Sequence, residues 1–474
     1  MSERLNASVC VIGGGPAGSS AARRLSQLGH SVVIIEKQIF PRAHIGESLS
    51  PGVLPLLDVL GLSERIENHG FLRPERVLLH WPPIRGYRSL GHVPGFQVDR
   101  AKFDAVMLDG AREAGAHVLE GAKLLNFVKN VVSGWDLTIF AEGKHFLVER
   151  CFVVDASGRR NVTGGKKRRY GTPTLALWNY WRGSAISGNE TRVEAGVEQW
   201  YWGAPLPDRS FNATVFVDPE RFQCDLQRLG SVDSVYQHLL AQSELLAACL
   251  EGYAAGPTRV CDATCYTSDD SLSPDLIKVG EALFSVDPLS SQGVQVAVGT
   301  ALHAAAVVHT ASRTAEHSEI AEQFYRERHQ EAVSFHCSTA AGLYAQVALE
   351  RETEFWRQRV GKQRDQKETL IRDPRPRKPI TAKARIQLAP EAQIFPTPCM
   401  EGDFIVKRPA LVHPGLARPM AFLGNVAVAP LLEYLRTPLT IDETLRAWSQ
   451  RTHDNHTVEI LGWLWDNGMI VEVS

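Results

Sequence analysis

The sequence predicts an α/β fold: a Rossmann-like nucleotide-binding domain, an inserted antiparallel-sheet domain, and a small winged-helix-like module at the C-terminus. Three observations carry this. A strand, a glycine turn, a helix and a second strand fill residues 9–37. Alternating, aromatic-rich segments fill 166–270. Short apolar helices and a final strand follow residue 396.

The first unit is the most specific. Val9-Cys10-Val11-Ile12 is apolar and strand-forming, and Gly13-Gly14-Gly15-Pro16-Ala17-Gly18 follows at once. Ser19 to Leu28 then has helical spacing, with Ala21, Ala22, Leu25 and Leu28 on one side. Ser31 to Glu36 is a second apolar strand that ends in an acid. A G-x-G-x-x-G turn between strand and helix, with an acid about 20 residues on, is a dinucleotide-binding fingerprint. Gly13, Gly15 and Gly18 let the backbone turn tightly and approach a pyrophosphate, whose charge rests on the helix N-terminus. Glu36 is placed to accept hydrogen bonds from an adenosine ribose and would repel a 2′-phosphate. FAD or NAD is expected, and NADP is not.

Composition sets the frame. The 474 residues suffice for two or three domains. Hydrophobic content of 44% and charged content of 22% are ordinary for a soluble globular protein. A net charge of −2 gives no reason to expect nucleic-acid binding. Residues 1–8 are polar and lead straight into the first strand, so no signal peptide is expected. No apolar run reaches the roughly 18 residues that span a bilayer, so no membrane contact is expected. The eight cysteines are scattered, and Cys261 and Cys265 match neither C-x-x-C nor half a zinc site. They read as reduced thiols in a cytoplasmic protein, with no metal.

Further along, Phe40 to Pro51 is a loop, Val53–Leu60 a short helix, Arg76–Trp81 a strand and Phe103–Ala114 an amphipathic helix. His117–Val132 and Trp135–Phe140 read as a strand ladder, and Val148–Val154 as a buried strand running into Asp155. Leu175–Arg182, Arg192–Tyr201 and Phe211–Val217 read as sheet, and Ser234–Leu250 as helix. Leu276–Val279 returns to strand. Gly280–Gly293 is a loop, and Val294–Val308 and Ser318–Leu349 are helices. Residues 357–392 are basic and contain proline, the composition of a linker or surface arm. Three helices (Val426–Leu435, Ile441–Gln450, His456–Asn467) precede a strand at Met469–Val473. Their expected core includes Phe404, Leu411, Leu431, Leu432, Leu435, Leu445, Trp448, Leu461, Leu464 and Ile470. Ile441-Asp442-Glu443 argues against a DNA-reading face, which favours a protein-docking module. The expected domains are therefore 1–165 with 271–350, 166–270 with strands from 71–98, an arm at 351–395, and the module at 396–474.

Four further motifs appear in order: Gly46-Glu47-Ser48, Gln97-Val98-Asp99-Arg100, Asp155-Ala156-Ser157-Gly158, and Gly280-Glu281-Ala282 with Asp287-Pro288-Leu289-Ser290-Ser291-Gln292-Gly293. With the nucleotide turn they resemble the FAD-dependent monooxygenase and flavin-dependent halogenase superfamily over roughly residues 5–345. The resemblance implies FAD, held by Gly13, Gly15, Pro16, Ala17, Gly18, Glu36, Lys37, Arg42, Ser48, Arg100, Gly280, Glu281, Asp287, Gln292, Gly293 and Val294. It places the Asp287–Gly293 turn beneath the isoalloxazine, where a helix N-terminus suits a negative flavin edge. Glu281 stands where the family usually has aspartate. The expected co-reactants are molecular oxygen and an external reductant, NAD(P)H or reduced flavin, since no second G-x-G-x-x-G is present.

The match narrows toward the halogenase-like branch through Arg42 to Leu49, Asp287 to Ser291, and Trp200-Tyr201-Trp202-Gly203-Ala204-Pro205, which is similar to W-x-W-x-I-P. That branch uses a lysine in the substrate chamber, and no lysine occurs between Lys37 and Lys102. Ser290 also replaces an expected glutamate. Both departures favour a hydroxylase using the flavin C4a-hydroperoxide directly on an electron-rich ring. The extra C-terminal module is similar to the flavoproteins that hydroxylate a tryptophan of a protein substrate in tryptophylquinone cofactor biogenesis, the peptidyl-tryptophan dihydroxylases serving quinohemoprotein amine dehydrogenase. A protein or peptide substrate and a maturation partner are the expected partners; the alternative is a hydroxylase or halogenase of a small or carrier-tethered aromatic. His44 and Glu47 are the candidate catalytic groups, each with a structural alternative as a loop-pinning residue. Arg100 faces FAD phosphates or pairs with Asp104, and the resemblance favours FAD. His80, Trp81, Trp200 and Trp202 are candidates for the substrate pocket, with sheet core as the alternative for the last two.

Overall fold

The computed structural model describes residues 2–91, 93–186, 188–360, 381, 383–452 and 454–473. The chain divides into two compact units: Met1–His309 with Ala332–Lys362, and Thr310–Glu331 with Gln363–Ser474.

The first unit is built on a sheet of parallel strands with Leu272–Ser273 antiparallel at one edge. Its strand order is Leu272–Ser273, Leu276–Lys278, Lys144–Asp155, Val9–Ile12, Val32–Ile35 and His117–Leu119. Every residue of Val9–Ile12 and Val32–Ile35 is buried, as parallel strands covered on both faces require. Helix Pro16–Gln27 starts with proline and buries Ala17, Ala21, Ala22 and Leu25, small enough to lie close to the strands. Helix Arg100–Glu113 is capped by Asp99, whose carboxylate accepts from the Ala101 and Lys102 amides. Lys123–Lys129 and Trp135–Ala141 extend the sheet as an antiparallel ladder. Gly293–Arg313 is long and apolar enough to cross a membrane, but two-thirds of its apolar stretch is buried here.

The same unit carries an eight-stranded second sheet. Phe211–Val217 lies between Leu175–Arg182 and Trp200–Pro205, both antiparallel to it. Thr191–Ala195 follows and pairs in parallel with Arg76–Trp81, which forms a hairpin with Ile84–Ser89. The segment expected as one strand over Arg192–Tyr201 is two, turning where the Gly196 amide donates to the Gln199 carbonyl at 2.8 Å. Period-two alternation continues across that turn, which hid it from the sequence. The helix expected over Ser234–Leu250 is Val232–Leu240 plus a separate 3₁₀ turn at Ala247–Glu251. Pro219–Leu229 is a further helix. These helices cover one sheet face through Leu177, Tyr201, Val215, Val235, Tyr236 and Leu239.

Residues 351–360, expected as part of an arm, instead enter the first unit's core. Helix Glu354–Val360 buries Phe355 and Trp356, and the Trp356 indole donates to the Val197 carbonyl at 2.9 Å. The arm's residues 361–380 and 382 lie outside the described residues. Its last part belongs to the second unit: Arg385–Leu388 is the middle strand between Leu439–Thr440 and Ile470–Val473.

Three helical segments pack with this small sheet in the second unit, a winged-helix-like arrangement. Gln393–Glu401 and Phe404–Val412 form a hairpin. The core centres on Ile386, Leu411, Leu431, Leu432, Leu435, Trp448, Leu464 and Ile470. Phe404 is half-buried and its neighbour Ile405 takes the fully buried position. Thr440 and Glu443 form a capping box on helix Ile441–Trp448. Trp448 is fully buried and donates to the Leu431 carbonyl at 2.9 Å. Trp448→Ala should destabilise this unit by about 3–5 kcal/mol while FAD content per folded first unit is retained. Calorimetry with flavin absorbance checks this, and a parallel loss of flavin would contradict it.

Candidate active site

The nucleotide turn is organised by backbone proximity. A Cβ on Gly13, where φ is +107°, would lie 2.5 Å from the Ala156 carbonyl oxygen, and one on Gly18 would lie 1.8 Å from the Gly13 oxygen. Neither position tolerates a side chain. At Gly15 a Cβ would meet only the Arg42 guanidinium, at 3.2 Å. Gly15 therefore lines a cradle, and Gly13 and Gly18 hold it together. Helix Pro16–Gln27 has no side-chain cap, which leaves its first amides and its dipole to an anion. Glu36 is buried and accepts from the Gly14 amide at 2.7 Å and the Gln38 amide at 2.8 Å. Lys37 beside it is exposed. These features fit a pyrophosphate and ribose, so the chain's residues suit FAD.

Arg100 is committed elsewhere than expected. Its guanidinium donates to Asp104 at 2.9 and 3.1 Å and to the Ile45 and Gly46 carbonyls at 2.8 and 3.1 Å. It braces the loop, and Arg42, 3.3 Å from Asp104, is the cation beside Gly15. The i, i+4 spacing to Asp104 was the sequence signal for this.

In the braced loop, His44 reaches the surface, with Nδ1 2.7 Å from the Ile45 carbonyl. Packing of the loop around it, and then the Arg100 charge, hold its pKa below the usual histidine value. Glu47 is buried at 2% exposure. Its carboxylate accepts from the Tyr180 hydroxyl at 2.6 Å, the Asn212 amide at 3.2 Å and the Gly46 amide at 3.0 Å. Burial raises its pKa, and the Tyr180 bond opposes that rise. Ser48 pairs with Gln97 across two short strands.

The later motifs meet the first. Gly280, at φ +57°, packs on Ala17: a Cβ there would sit 2.9 Å from the Ala17 methyl. Glu281 lies 3.2 Å from Arg159, so the arginine after Asp155–Gly158 steers the longer acid. Asp287 accepts from the Leu289 amide at 3.0 Å and caps a 3₁₀ turn at Pro288–Ser290. Gln292 donates its amide to Ser290 at 3.3 Å. Gly293 opens the helix, and a Cβ there would meet open space, whereas the Val294 side chain is buried in the core.

The second sheet turns its other face toward this turn, with Leu289 packed against it. Register places three rows there. Tyr180, Asn212 and Ala204 form a polar row next to Glu47. Trp178, Thr214, Trp202, Val193 and Leu79 form the middle row. Ala176, Phe216, Trp200 and Ala195 form an apolar row. Trp81, Tyr344 and Trp356 close the apolar end. Trp200 stacks on Phe216 at 3.7 Å and is sheet core, while Trp202 occupies the middle row. His80 is not in this chamber. It points to the opposite face, 3.3 Å from Glu244, because neighbours along a strand alternate faces.

Sequence reasoning missed Trp178, Tyr180, Asn212, Thr214 and Tyr344. A signal existed for two of them: Asn212 and Thr214 are polar positions alternating with apolar ones in a strand buried at every residue.

Gly15→Val should give a folded protein without bound FAD, whereas Gly18→Ala should fail to fold well, since its Cβ meets backbone. Circular dichroism and flavin absorbance distinguish them; retained flavin in folded Gly15→Val would contradict the assignment. A second expectation concerns Glu47. Its folded pKa is raised, so its contribution to stability is fullest below the unfolded value and declines as pH rises through the folded one. Tyr180→Phe removes a donor to the ionised carboxylate. The destabilisation should be about 1 kcal/mol near pH 4 and about 2–3 kcal/mol near pH 8, measured by urea unfolding. A pH-independent difference would contradict it.

The same cradle and sheet occur in known proteins. Residues 6–164 match the FAD binding domain family, and residues 87–373 match the tryptophan halogenase family. Tryptophan 2-halogenase from Chondromyces crocatus is 33% identical over 368 residues, covering 73% of this chain and 69% of that protein. Among solved structures, the flavin-dependent halogenase CmlS aligns with a TM-score of 0.78 at 21% identity, covering 99% of this chain and 96% of its own. The peptidyl tryptophan dihydroxylase QhpG, essential for tryptophylquinone cofactor biogenesis, aligns with a TM-score of 0.70 at 22% identity, covering 98% and 100%. At these identities the two structures speak for the fold. The glycine cradle and the matched relatives together establish an FAD-dependent oxidoreductase, and the chain belongs to the tryptophan halogenase family of flavoenzymes.

Proposed function

We propose that the chain is a flavin-dependent halogenase or hydroxylase of a small or carrier-tethered aromatic metabolite. The observation that carries this is an aromatic sheet face set opposite the Asp287–Gly293 turn, with Trp81, Tyr344 and Trp356 packed at its apolar end. A planar ring fits such walls through stacking and edge contacts, and their burial keeps water from the reacting atoms. Reduced FAD and oxygen supply the electrophilic oxidant when the cofactor is bound. The protein's part is to hold the ring in line with the flavin turn and to receive the proton that leaves it. Glu47, with its raised pKa and the Tyr180 hydroxyl at 2.6 Å, is a buried acceptor at the polar end of the chamber. The names of the relatives favour halogenation.

A second reading has a specific feature behind it. No lysine lies between Lys37 and Lys102, and none occupies the three rows of the sheet face. Without an amine to guide a halogen species, direct oxygen transfer is the simpler chemistry, and QhpG's likeness supports a protein-borne tryptophan as its substrate. The C-terminal unit does not decide between the readings, because CmlS and QhpG both cover nearly the whole chain.

The experiment supplies reduced flavin, oxygen, bromide and chloride with free tryptophan and other electron-rich aromatics. A bromine or chlorine isotope pattern in a product is the expected result. Incorporation of ¹⁸O from labelled oxygen, without dependence on halide, would select hydroxylation. Modification confined to a tryptophan of a folded protein would overturn the small-molecule reading.

A further inference from the structure

We propose that Tyr344 is a positioning residue that fixes the flavin turn through Asp287 and ties its geometry to the aromatic wall of the chamber. The Tyr344 hydroxyl lies 3.0 and 2.9 Å from the two Asp287 carboxylate oxygens, donating to the pair. Apart from the Leu289 amide at 3.0 Å, this is the hydrogen bond that the carboxylate receives among the described residues. Burial raises the Asp287 pKa, and the Leu289 amide, the Tyr344 hydroxyl and the Arg359 charge oppose that rise, with the Cys265 thiol and Tyr170 phenol facing the same carboxylate. The hydroxyl thus stabilises the charged form of a group that caps Pro288–Ser290. Beyond this turn come Ser291 in the left-handed region, at φ +51°, and Gly293 at the helix start.

The other side of Tyr344 belongs to the chamber. Its ring is 4% exposed, 6.1 Å from Trp81 and 6.0 Å from Trp356. The Trp81 indole donates to the carbonyl of Leu343, the preceding residue, at 3.1 Å. One helical turn is therefore held from the sheet by an indole and holds the flavin turn by a hydroxyl. A ring pressed against Trp81 acts on the residue next to the Asp287 donor. Two packed elements sharing one side chain form a contiguous route for coupling between substrate wall and cofactor.

This inference rests on FAD as the cofactor. FAD binding by the unaltered protein, measured first, separates failure of that assignment from failure of the inference. The test is the FAD dissociation constant of the apoprotein, by flavin fluorescence, from about pH 5 to about pH 9. Tyr344→Phe keeps the ring and deletes the donor. Its dissociation constant should rise about tenfold near pH 8, the size of one hydrogen bond to a charged group. The loss should shrink as pH falls and Asp287 takes up a proton. His80→Ala, whose side chain lies on the opposite face of the sheet beside Glu244, should leave the constant within about twofold of wild type. A Tyr344→Phe constant within twofold of wild type at pH 8, or a loss independent of pH, would overturn the proposal. Should that variant not fold, Asp287→Asn serves: it keeps an acceptor for the hydroxyl and removes the charge, so FAD affinity should lose its pH dependence. Unchanged pH dependence there would overturn it equally.

Discussion

The first unit depends on how closely four backbone segments approach one another. Gly13 meets the Ala156 carbonyl, Gly18 meets Gly13, and Gly280 meets Ala17, each at distances that exclude or crowd a β-carbon. Sequence positions as far apart as 13 and 280 are thereby brought to one corner. Side chains such as Thr300, Glu36 and Ser19 bond to these segments, but only where no β-carbon stands in the way. The closeness follows from the absence of side chains, so the cradle is defined by sterics before any charge is considered. The electrostatic features then act on a fixed frame: an uncapped helix start, Arg42 beside Gly15, and Glu36 already bonded to two amides.

A second constraint joins the frame to the second sheet. Glu47 is nearly inaccessible and takes donors from Tyr180 and Asn212, two strands of that sheet. A buried carboxylate with fewer donors is costly, so the loop from Phe40 to Pro51 is held to one place on the sheet. At the opposite end of the chamber, Asp287 and Tyr344 make the corresponding junction. The sheet face thus has an acid at each end, with aromatic surface between them, and each acid accepts from a tyrosine hydroxyl.

The nucleotide motif was legible because its chemistry is local: strand, turn, helix and acid lie within 30 residues, and each residue's role follows from its neighbours. The same holds for most strands and helices, whose periodicity survives in the sequence. What was not legible depended on pairing across distance. His80 and Trp81 read alike until the sheet assigned them opposite faces. Arg100 read as a phosphate ligand because the family analogy outweighed a visible i, i+4 partner in Asp104. Phe355 and Trp356 stand just before the basic, proline-containing stretch at 357–392 and were read with it as an arm from 351, yet two large aromatics in seven residues are hard to leave in solvent. The likeness to a protein-modifying enzyme rested on an extra module, which a halogenase structure also covers. Architecture, being shared across different activities, could not carry that distinction.

The parallel pairing of Arg76–Trp81 with Thr191–Ala195 has a consequence for the order in which the molecule is made. Val77 and Thr191 are partners, separated by 191 − 77 = 114 positions. The intervening chain includes helix Arg100–Glu113, the ladder and the central strand Lys144–Asp155 of the nucleotide sheet. Closing so long a loop is entropically unfavourable until something shortens it. Formation of the nucleotide sheet does so, by drawing residues 9–35 and 144–155 into register. During synthesis the four nucleotide-sheet strands up to Lys144–Asp155 are therefore available before Thr191–Ala195 can pair with Arg76–Trp81, and Leu276–Lys278 joins that sheet only after the second sheet's strands have been made.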